Sequence, residues 1–208
     1  MKNVKAEMAM IGGRKSKAEM KRIAAIIIAL VGLYTPCGAE MSPPNRPANW
    51  AERIQLIGVP NLHRVSDTLY RSAQPSAEGM KNLEATGIET IVNLRSFHSD
   101  RDKIKKTGLA YEHIYMKAWH PEEEDAVRFL QIVTNPKRAP VLVHCQHGAD
   151  RTGAMCAIYR VAVQGWSKEE ALKEMTEGGF EFHGIWQDLV HWMGALDMEG
   201  VKKRAGIR

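Results

Sequence analysis

The chain alternates between short apolar runs and longer segments in which apolar residues recur every three or four positions. Short apolar runs predict buried strands, and the helical spacing predicts amphipathic helices. Strands are predicted within 62–71, 88–94, 111–116 and 141–143, and helices within 76–83, 99–106, 121–134, 152–165, 167–177 and 185–196. This order predicts an α/β fold in which helices flank a mostly parallel central sheet of four to five strands.

The same pattern divides the chain of 208 residues into four segments. Its length suits one domain with a sizeable core, which we place at 61–198. Residues 40–60 are rich in proline and predict an extended lead-in that wraps the domain through Trp50 and Ile54. Residues 199–208 predict a polar, frayed tail. Residues 1–39 differ from all of these in composition.

The first segment is typical of a secretory signal peptide. Lys21 and Arg22 precede the apolar run 23–34, and Ala39 offers a small residue for cleavage. This run is too short to span a bilayer, so the pattern predicts export with no membrane attachment after cleavage. Because Met20 begins a complete signal pattern, 1–19 is a candidate mis-assigned start. N-terminal sequencing of the exported protein tests both expectations.

Charge argues against a nucleic-acid partner. The net charge of +5 arises within residues 1–39, and the rest of the chain holds equal numbers of basic and acidic residues. Nucleic-acid-binding domains usually concentrate basic residues on one face. We therefore predict no nucleic-acid partner.

The candidate chemistry lies between residues 139 and 165. An apolar strand delivers Cys145 to a loop, Arg151 follows six positions later, and Thr152 and Gly153 open a helix. Loop amides and the positive end of the helix dipole would converge on one point above Cys145, where a phosphate group fits. The bare Cys-Arg spacing is a weak signal, but this context makes it specific. The predicted phosphate-binding residues are Gln146, His147, Gly148, Ala149, Thr152 and Gly153.

The motif His144-Cys145-x5-Arg151-Thr152-Gly153 resembles the signature of cysteine-dependent protein phosphatases in their compact dual-specificity form. Residues 69–75 and 92–95 are also similar to stretches of the bacterial exported branch, and the resemblance covers about 61–196. It implies a phosphatase domain, a periplasmic location, Cys145 as nucleophile and Arg151 as phosphate clamp. The implied substrates are phosphotyrosine and phosphoserine or phosphothreonine proteins, or small phosphomonoesters, hydrolysed through a phosphocysteine. We expect no cofactor and no metal.

The chemistry of the motif suggests individual roles. The nucleophile must be a thiolate, which the helix N-terminus and Arg151 would stabilise. The planar guanidinium of Arg151 can hold two phosphoryl oxygens at once. Thr152 would donate its hydroxyl to the sulfur of Cys145, and His144 would orient the loop through a backbone hydrogen bond. His147 either lines the pocket mouth or faces solvent.

The general acid is ambiguous. In the family it is usually an Asp on a loop before the Cys, but the segment 118–125 has no plain Trp-Pro-Asp. Glu123 lies four residues before Val127 and is predicted to share its inward face, whereas Glu124 should pair with Arg128. Asp150, beside Arg151, is the second candidate. Alternatively, the carboxylates of 122–125 only complement a helix N-terminus.

Other residues leave alternatives open. Arg71 and Arg95 each close a strand and should share a rim with Cys145, as phosphate contacts or as structural ion pairs. Cys156 should be a core residue rather than a disulfide partner.

The second functional reading is an inositol phosphate or phosphoinositide phosphatase. The loop has no Lys, which disfavours this reading, but nearby basic residues could lie at the rim: Arg101, Lys103, Lys105 and Lys106. Sulfur transfer and a non-catalytic phosphate-binding module are less consistent with Arg151, Thr152 and Gly153.

Overall fold

The structure is a computed structural model that describes residues 46–207. The predicted signal peptide and the first residues of the lead-in lie outside this range, so export stays a prediction. Among the residues described, no helix combines the length and apolar character needed to cross a membrane.

Six strands form one sheet in the order β1-β2-β3-β6-β4-β5. They are β1 (Glu52–Arg53), β2 (His63–Arg64), β3 (Leu69–Ser72), β4 (Thr90–Asn93), β5 (Ala110–His113) and β6 (Val141–His144). Strands β3, β6, β4 and β5 are parallel, whereas β1 and β2 add an antiparallel ribbon at the β3 edge. The mostly parallel sheet is confirmed. Both β2 and β3 correspond to the predicted segment 62–71. The expected count of four to five was too low because β1 has only two residues and lies in the stretch predicted to be an extended lead-in.

Seven helices lie within the described range. They are α1 (Ala77–Ala85), α2 (Arg101–Ile104), α3 (Glu123–Val133), α4 (Asp150–Gln164), α5 (Lys168–Glu177), α6 (Gln187–Ala195) and α7 (Met198–Ala205). The first six correspond to predicted helices. Their ends follow the local signals: the Ser76 hydroxyl accepts the Gly79 amide at 3.0 Å, and Gly165 ends α4 in the left-handed conformation.

The sheet separates two apolar cores because successive side chains of a strand point to opposite faces. Val141 and Val143 of β6 pack into the larger core, which α3 to α7 cover. Leu142 points to the other face, where residues of α1 and α2 complete a smaller core. Both faces of β6 are thereby buried, and its carboxyl end is held rigidly where the Cys145 loop begins.

The predicted lead-in is part of the folded domain. The Ala51 amide donates to the Glu174 carboxylate at 2.6 Å, and that carboxylate also pairs with Arg160 at 2.6 Å, inside the protein. With β1 in the sheet, the folded domain therefore begins before the predicted boundary at residue 61. Buried charges are tolerated when they are paired and hydrogen-bonded in this way.

The prediction of a frayed tail from residue 199 is wrong. The segment forms α7, with the Asp197 side chain accepting the Gly200 amide at its start. Met198 and Val201 are three positions apart on one side of α7 and are buried in the larger core. Lys202, Lys203 and Arg204 follow them and make the segment look polar in the sequence. The domain therefore extends beyond residue 198.

Candidate active site

The phosphate-binding loop, residues 145–149, connects β6 to α4. Cys145 directly follows β6 and is 2% exposed, and Arg151 lies in the first turn of α4. The thiol therefore lies in the loop that leads from β6 into the N-terminus of α4. The positive end of the helix dipole faces the site where an anion would bind.

Each carbonyl oxygen of the loop accepts a hydrogen bond from another group of the protein. The acceptors and donors are Cys145 O with His144 Nδ1 (3.0 Å), Gln146 O with Gln74 N (3.1 Å), His147 O with Asn61 Nδ2 (3.1 Å), Gly148 O with Arg71 Nη2 (2.7 Å) and Ala149 O with Gly153 N (2.8 Å). By contrast, no backbone amide of residues 146–149 donates to another group in the described part of the chain. The loop therefore turns its carbonyls to the protein and leaves its amides for an anion.

Arg71 has a structural role, which settles the alternative left open by the sequence. Its side chain is buried beneath the loop, Nη2 donates to the Gly148 carbonyl, and the guanidinium lies 3.7 Å from the Phe180 ring centroid. Burial lowers the pKa of Arg71. Arg71 thus supports the loop from inside the protein and does not line the cavity described below.

Asp100 positions the residue that precedes the nucleophile. Its Oδ2 lies 2.9 Å from His144 Nε2, and both side chains are fully buried. Burial raises the pKa of Asp100, but hydrogen bonds and charge from His144 and Lys103 outweigh it and lower the pKa to about 2. His144 Nδ1 in turn faces the Cys145 carbonyl, which confirms the expected backbone hydrogen bond. Both ring nitrogens of His144 therefore face oxygen acceptors.

The Asp100 carboxylate is also the centre of a wider network. It accepts from Gln74 Nε2 and Asn93 Nδ2, each at 2.8 Å, and its backbone amide donates to the Tyr111 hydroxyl at 3.0 Å. The sequence suggests either Ser99 or Asp100 as the cap of the short charged helix, and in the structure Asp100 holds the cap position but its side chain makes no capping bond. The sequence held one clue to this network. Two of its members, Gln74 and Asn93, lie in 69–75 and 92–95, the two further stretches that resemble the family.

A cavity of about 180 Å³ opens beside the loop. Arg95, Gln146 and Arg151 line it, together with Phe97, Trp119 and Trp186. Arg151 Nη1 is held by the Leu94 carbonyl at 3.2 Å, and Arg95 Nη1 by Gln74 Oε1 at 3.0 Å. The expectation that Arg95 shares a rim with the loop is confirmed.

The start of α4 supplies a buried polar group. The Thr152 hydroxyl has no hydrogen-bond partner among the described residues, so the expected bond to the Cys145 sulfur is not present in this structure. An unpartnered buried hydroxyl is costly and commonly marks a functional position. Gly153 is needed for packing, because a Cβ there would lie 3.0 Å from Met175 Cγ.

Cys156 of α4 is a core residue. Cys156 is free and buried, as predicted, and burial raises its pKa to about 11. Cys145 and Cys156 form no disulfide.

Comparison with known proteins shows what this chain is similar to. Residues 48–191 match the family described as "DSP-PTPase phosphatase fused to NAD+ Kinase". The chain is 34% identical over 185 residues to the dual specificity protein phosphatase TpbA of Pseudomonas aeruginosa strain UCBPP-PA14, covering 85% of this chain and 82% of that protein. The chain belongs to the dual-specificity phosphatase family. The resemblance drawn from the sequence motif is thereby confirmed.

Two further relatives of this phosphatase differ in the substrates that their names state. The crystal structure of a cysteine-to-serine variant of P. aeruginosa TpbA in complex with pTyr is 31% identical, with a TM-score of 0.69 over 77% of this chain and 98% of that one. The inositol diphosphatase DSP5 of Arabidopsis thaliana is 28% identical over 130 residues, covering 57% of this chain and 62% of that protein.

In the structure, Glu123 does not face inward as the sequence suggested. Its carboxylate is about half exposed and pairs with Arg204 of α7 at 3.3 Å, so the expectation that it shares the inward face of Val127 is wrong. Glu124 also pairs with Arg204, whereas Arg128 pairs with Glu112.

The remaining carboxylates of this segment serve the helix. Glu122 and Asp125 form a capping box at the start of α3, as the alternative reading proposed. Val127 is buried as predicted, but the ion pair of Glu123 was not anticipated because α7, which supplies Arg204, was not predicted.

Asp150 and His147 lie at the other side of the phosphate-binding loop. The buried Asp150 carboxylate lies 2.9 Å from His183 Nδ1 and accepts the His183 amide at 2.9 Å. His147 is exposed, and its ring lies 5.1 Å from that of His183. Of the open readings for His147, the structure supports a side chain at the protein surface beside the loop.

Gly148 lies where the phosphate-binding loop packs closely against the backbone that follows Arg71. Its φ is +73°, and an added Cβ would lie 2.5 Å from backbone atoms of Ser72 and Ala73. Gly165 has the same φ of +73° but open space around it.

We expect Gly165→Ala to cost roughly 1 kcal/mol of unfolding free energy and to retain activity. Gly148→Ala should cost clearly more and lose most activity. Denaturant unfolding and aryl phosphate hydrolysis measure both, and equal behaviour of the two variants would refute the packing argument.

Asp100 makes stability depend on pH. Because its pKa falls from the ordinary 3.8 to about 2 in the folded protein, its stabilising contribution is present above pH 4 and is lost as pH falls towards 2. We expect the difference in unfolding free energy between wild type and Asp100→Asn to shrink by roughly 2 kcal/mol over that interval.

The matched control for this measurement is Asp102→Asn. The Asp102 side chain is 97% exposed and contacts only Lys105 at 3.5 Å, so its replacement should show no such pH dependence. A pH-independent difference for Asp100→Asn would contradict the assigned role of its charge.

Proposed function

We propose that the phosphatase hydrolyses phosphotyrosine in proteins or peptides through a phosphocysteine on Cys145. The observation that carries this proposal is the loop that begins at Cys145, whose carbonyls accept hydrogen bonds from the protein while the amides of 146–149 donate to no group among the described residues. Such a loop stabilises the three equatorial oxygens of a phosphoryl group in transfer. Arg151, held at the cavity by Leu94 O, supplies the fixed cation for two of these oxygens.

The first step transfers the phosphoryl group to sulfur. The Cys145 thiolate attacks phosphorus, an S–P bond forms, and the P–O bond to the substrate breaks with the electron pair leaving on oxygen. That oxygen takes a proton from an acid or from water. Arg151 and the loop amides bind the oxygens most strongly when charge spreads over them, which lowers the barrier.

The second step releases phosphate. Water attacks the phosphorus of the phosphocysteine, the S–P bond breaks, and inorganic phosphate leaves. The departing sulfur carries negative charge, and we assign its stabilisation to the Thr152 hydroxyl, a buried donor that has no partner among the described residues and is therefore available to the thiolate.

Two features of the cavity favour an aryl phosphate. Phe97, Trp119 and Trp186 line its walls and offer aromatic faces to a phenyl ring. In addition, no Asp or Glu of the described segment lines this cavity. A phenol ionises at a pKa of about 10, so tyrosine leaves as an anion far more readily than a serine alkoxide and depends less on a general acid.

Neither predicted carboxylate is well placed to be that acid. Glu123 is paired with Arg204, and Asp150 is bound by His183. His98 is the titratable group, apart from arginines, among the described residues that line the cavity. We therefore expect a larger rate difference between aryl and alkyl phosphates than a carboxylic acid would allow.

The inositol phosphate reading has weaker support. A relative carries an inositol diphosphatase name, but the basic residues that could bind additional phosphates do not line the cavity. Lys103 pairs with Asp100, Lys105 pairs with Asp102, and Arg101 lies 5.5 Å from the Tyr111 ring centroid. A polyphosphate would meet Arg95 and Arg151 but no lysine cluster.

The test of the mechanism is trapping of labelled phosphorus. Wild type quenched in acid during turnover of a ³²P-labelled phosphotyrosine peptide should carry label on Cys145, and Cys145→Ser should carry none and be inactive. Arg151→Lys should fold normally and lose at least about a hundredfold in kcat/KM, because an ammonium cannot copy the bidentate geometry. Unlabelled wild type during turnover, or near-normal turnover by Arg151→Lys, would sink the proposed mechanism.

The same preparation tests substrate class. A phosphotyrosine peptide should exceed a matched phosphoserine peptide and inositol hexakisphosphate in kcat/KM. Trp119→Ala should raise KM for the phosphotyrosine peptide about fivefold, since an aromatic contact contributes roughly 1 kcal/mol. Inhibition by inorganic phosphate should not change, because phosphate occupies the loop alone. Tyr115→Ala is the control, since Tyr115 is 64% exposed but does not line the cavity. Equal effects of the two variants would remove Trp119 from recognition.

A further inference from the structure

Three side chains with metal-ligating atoms meet at the edge of the phosphate-binding loop. His147 and Asp150 belong to the loop and to the first turn of α4, and His183 lies between α5 and α6. One ligating atom from each lies within 4.8 Å of the other two. None of these atoms has a role in the phosphoryl transfer described above.

The pair formed by Asp150 and His183 already has the spacing of metal ligands. His183 Nδ1 lies 3.1 Å from Asp150 Oδ1 and 2.9 Å from Oδ2. Zinc–ligand bonds of about 2.0–2.2 Å at tetrahedral angles place neighbouring ligand atoms roughly 3.3 Å apart. A zinc ion could therefore replace the shared proton with little movement of either side chain.

The Asp150 carboxylate is held in a fixed position that suits metal binding. Its side chain is 8% exposed, and Oδ1 accepts the His183 backbone amide at 2.9 Å. Partners in the outer shell that orient a ligating carboxylate are a regular feature of metal sites. The buried carboxylate is thus aimed at the position between the two imidazoles.

His147 can complete the set. Its side chain is exposed, its ring lies 5.1 Å from the His183 ring, and its Nε2 is 3.3 Å from the Gln146 amide nitrogen. Among the described residues no buried group hydrogen-bonds to the ring, so a change in side-chain torsion can turn a nitrogen towards Asp150 and His183. Solvent remains accessible for a fourth ligand.

We propose that His147, Asp150 and His183 form a binding site for Zn²⁺. Two imidazole nitrogens and one carboxylate oxygen, with one open position, are a donor set that zinc accepts, whereas Mg²⁺ and Ca²⁺ prefer oxygen ligands alone. The bound ion would join the phosphate-binding loop to the segment between α5 and α6. The site uses no atom of Cys145 and does not depend on the proposed phosphatase mechanism.

The test is zinc titration of the full-length chain by isothermal calorimetry in a Cys145→Ser background, which removes the loop thiolate as a competing ligand. We expect one equivalent of Zn²⁺ to bind with enthalpy that Mg²⁺ does not reproduce. Adding His183→Ala should weaken binding at least about tenfold, since even outer-shell partners contribute that much. His191→Ala is the matched control, because His191 is an exposed histidine of α6 outside the cluster, and it should stay within about twofold.

His147→Ala gives an independent variant if loss of His183 disturbs Asp150. It alters an exposed side chain and should weaken zinc binding to a similar degree with an unchanged melting temperature in the absence of metal. Cobalt(II) substitution then identifies the donors: visible d–d bands without a near-ultraviolet thiolate band are expected. Absence of binding, affinity that ignores both His183→Ala and His147→Ala, or a thiolate band would overturn the proposed site.

Discussion

The active site depends on one buried contact, between the Asp100 carboxylate and the His144 imidazole. This pair lies at the carboxyl end of the sheet, where β4 and β6 run side by side and where both side chains are fully removed from water. A lone buried charge would be costly, but the Asp100 carboxylate is satisfied by His144, Gln74, Asn93 and Lys103. Because His144 also bonds to the Cys145 carbonyl, the position of the nucleophile is set by charges that solvent cannot screen.

The loop shows how a short segment acquires a function that its own side chains do not supply. Gln146, His147, Gly148 and Ala149 contribute mainly backbone, and their direction is imposed by donors from three other parts of the chain. Asn61 precedes β3, Arg71 lies within it and Gln74 follows it, and each of these residues binds one loop carbonyl. Removing carbonyl dipoles from one side of the loop gives that side a positive potential, which a phosphate group requires.

Local sequence signals were enough to predict most of the fold. The apolar runs marked β3 to β6 closely, and Ser76, Gly165 and Ser167 marked helix ends, because such signals act over only a few residues. The loop and its two chemical residues were equally visible, since Cys145, Arg151 and Gly153 stand at fixed spacing between a strand and a helix. The match to TpbA and the family assignment agree with that reading.

The two residues whose contacts were predicted wrongly, Asp100 and Glu123, both have partners far away along the chain. Asp100 was read as a helix cap because its partner His144 is 44 positions later, and Glu123 was read as inward-facing because Arg204 is 81 positions later. The helix α7 itself escaped notice since two apolar residues among several charged ones give a weak local pattern. Spacing along a chain cannot reveal contacts that only the completed tertiary structure makes.

The contact between Arg71 and Gly148 joins residues 77 positions apart, and this separation constrains how the enzyme comes into being. Until α4 has docked, the Arg71 guanidinium lacks the carbonyl that offsets its desolvation, and the stretch around Cys145 lacks the donors that shape it. Closing so long a segment requires most of the sheet to be in place first. Catalytic competence should consequently be among the last properties that the chain acquires during folding.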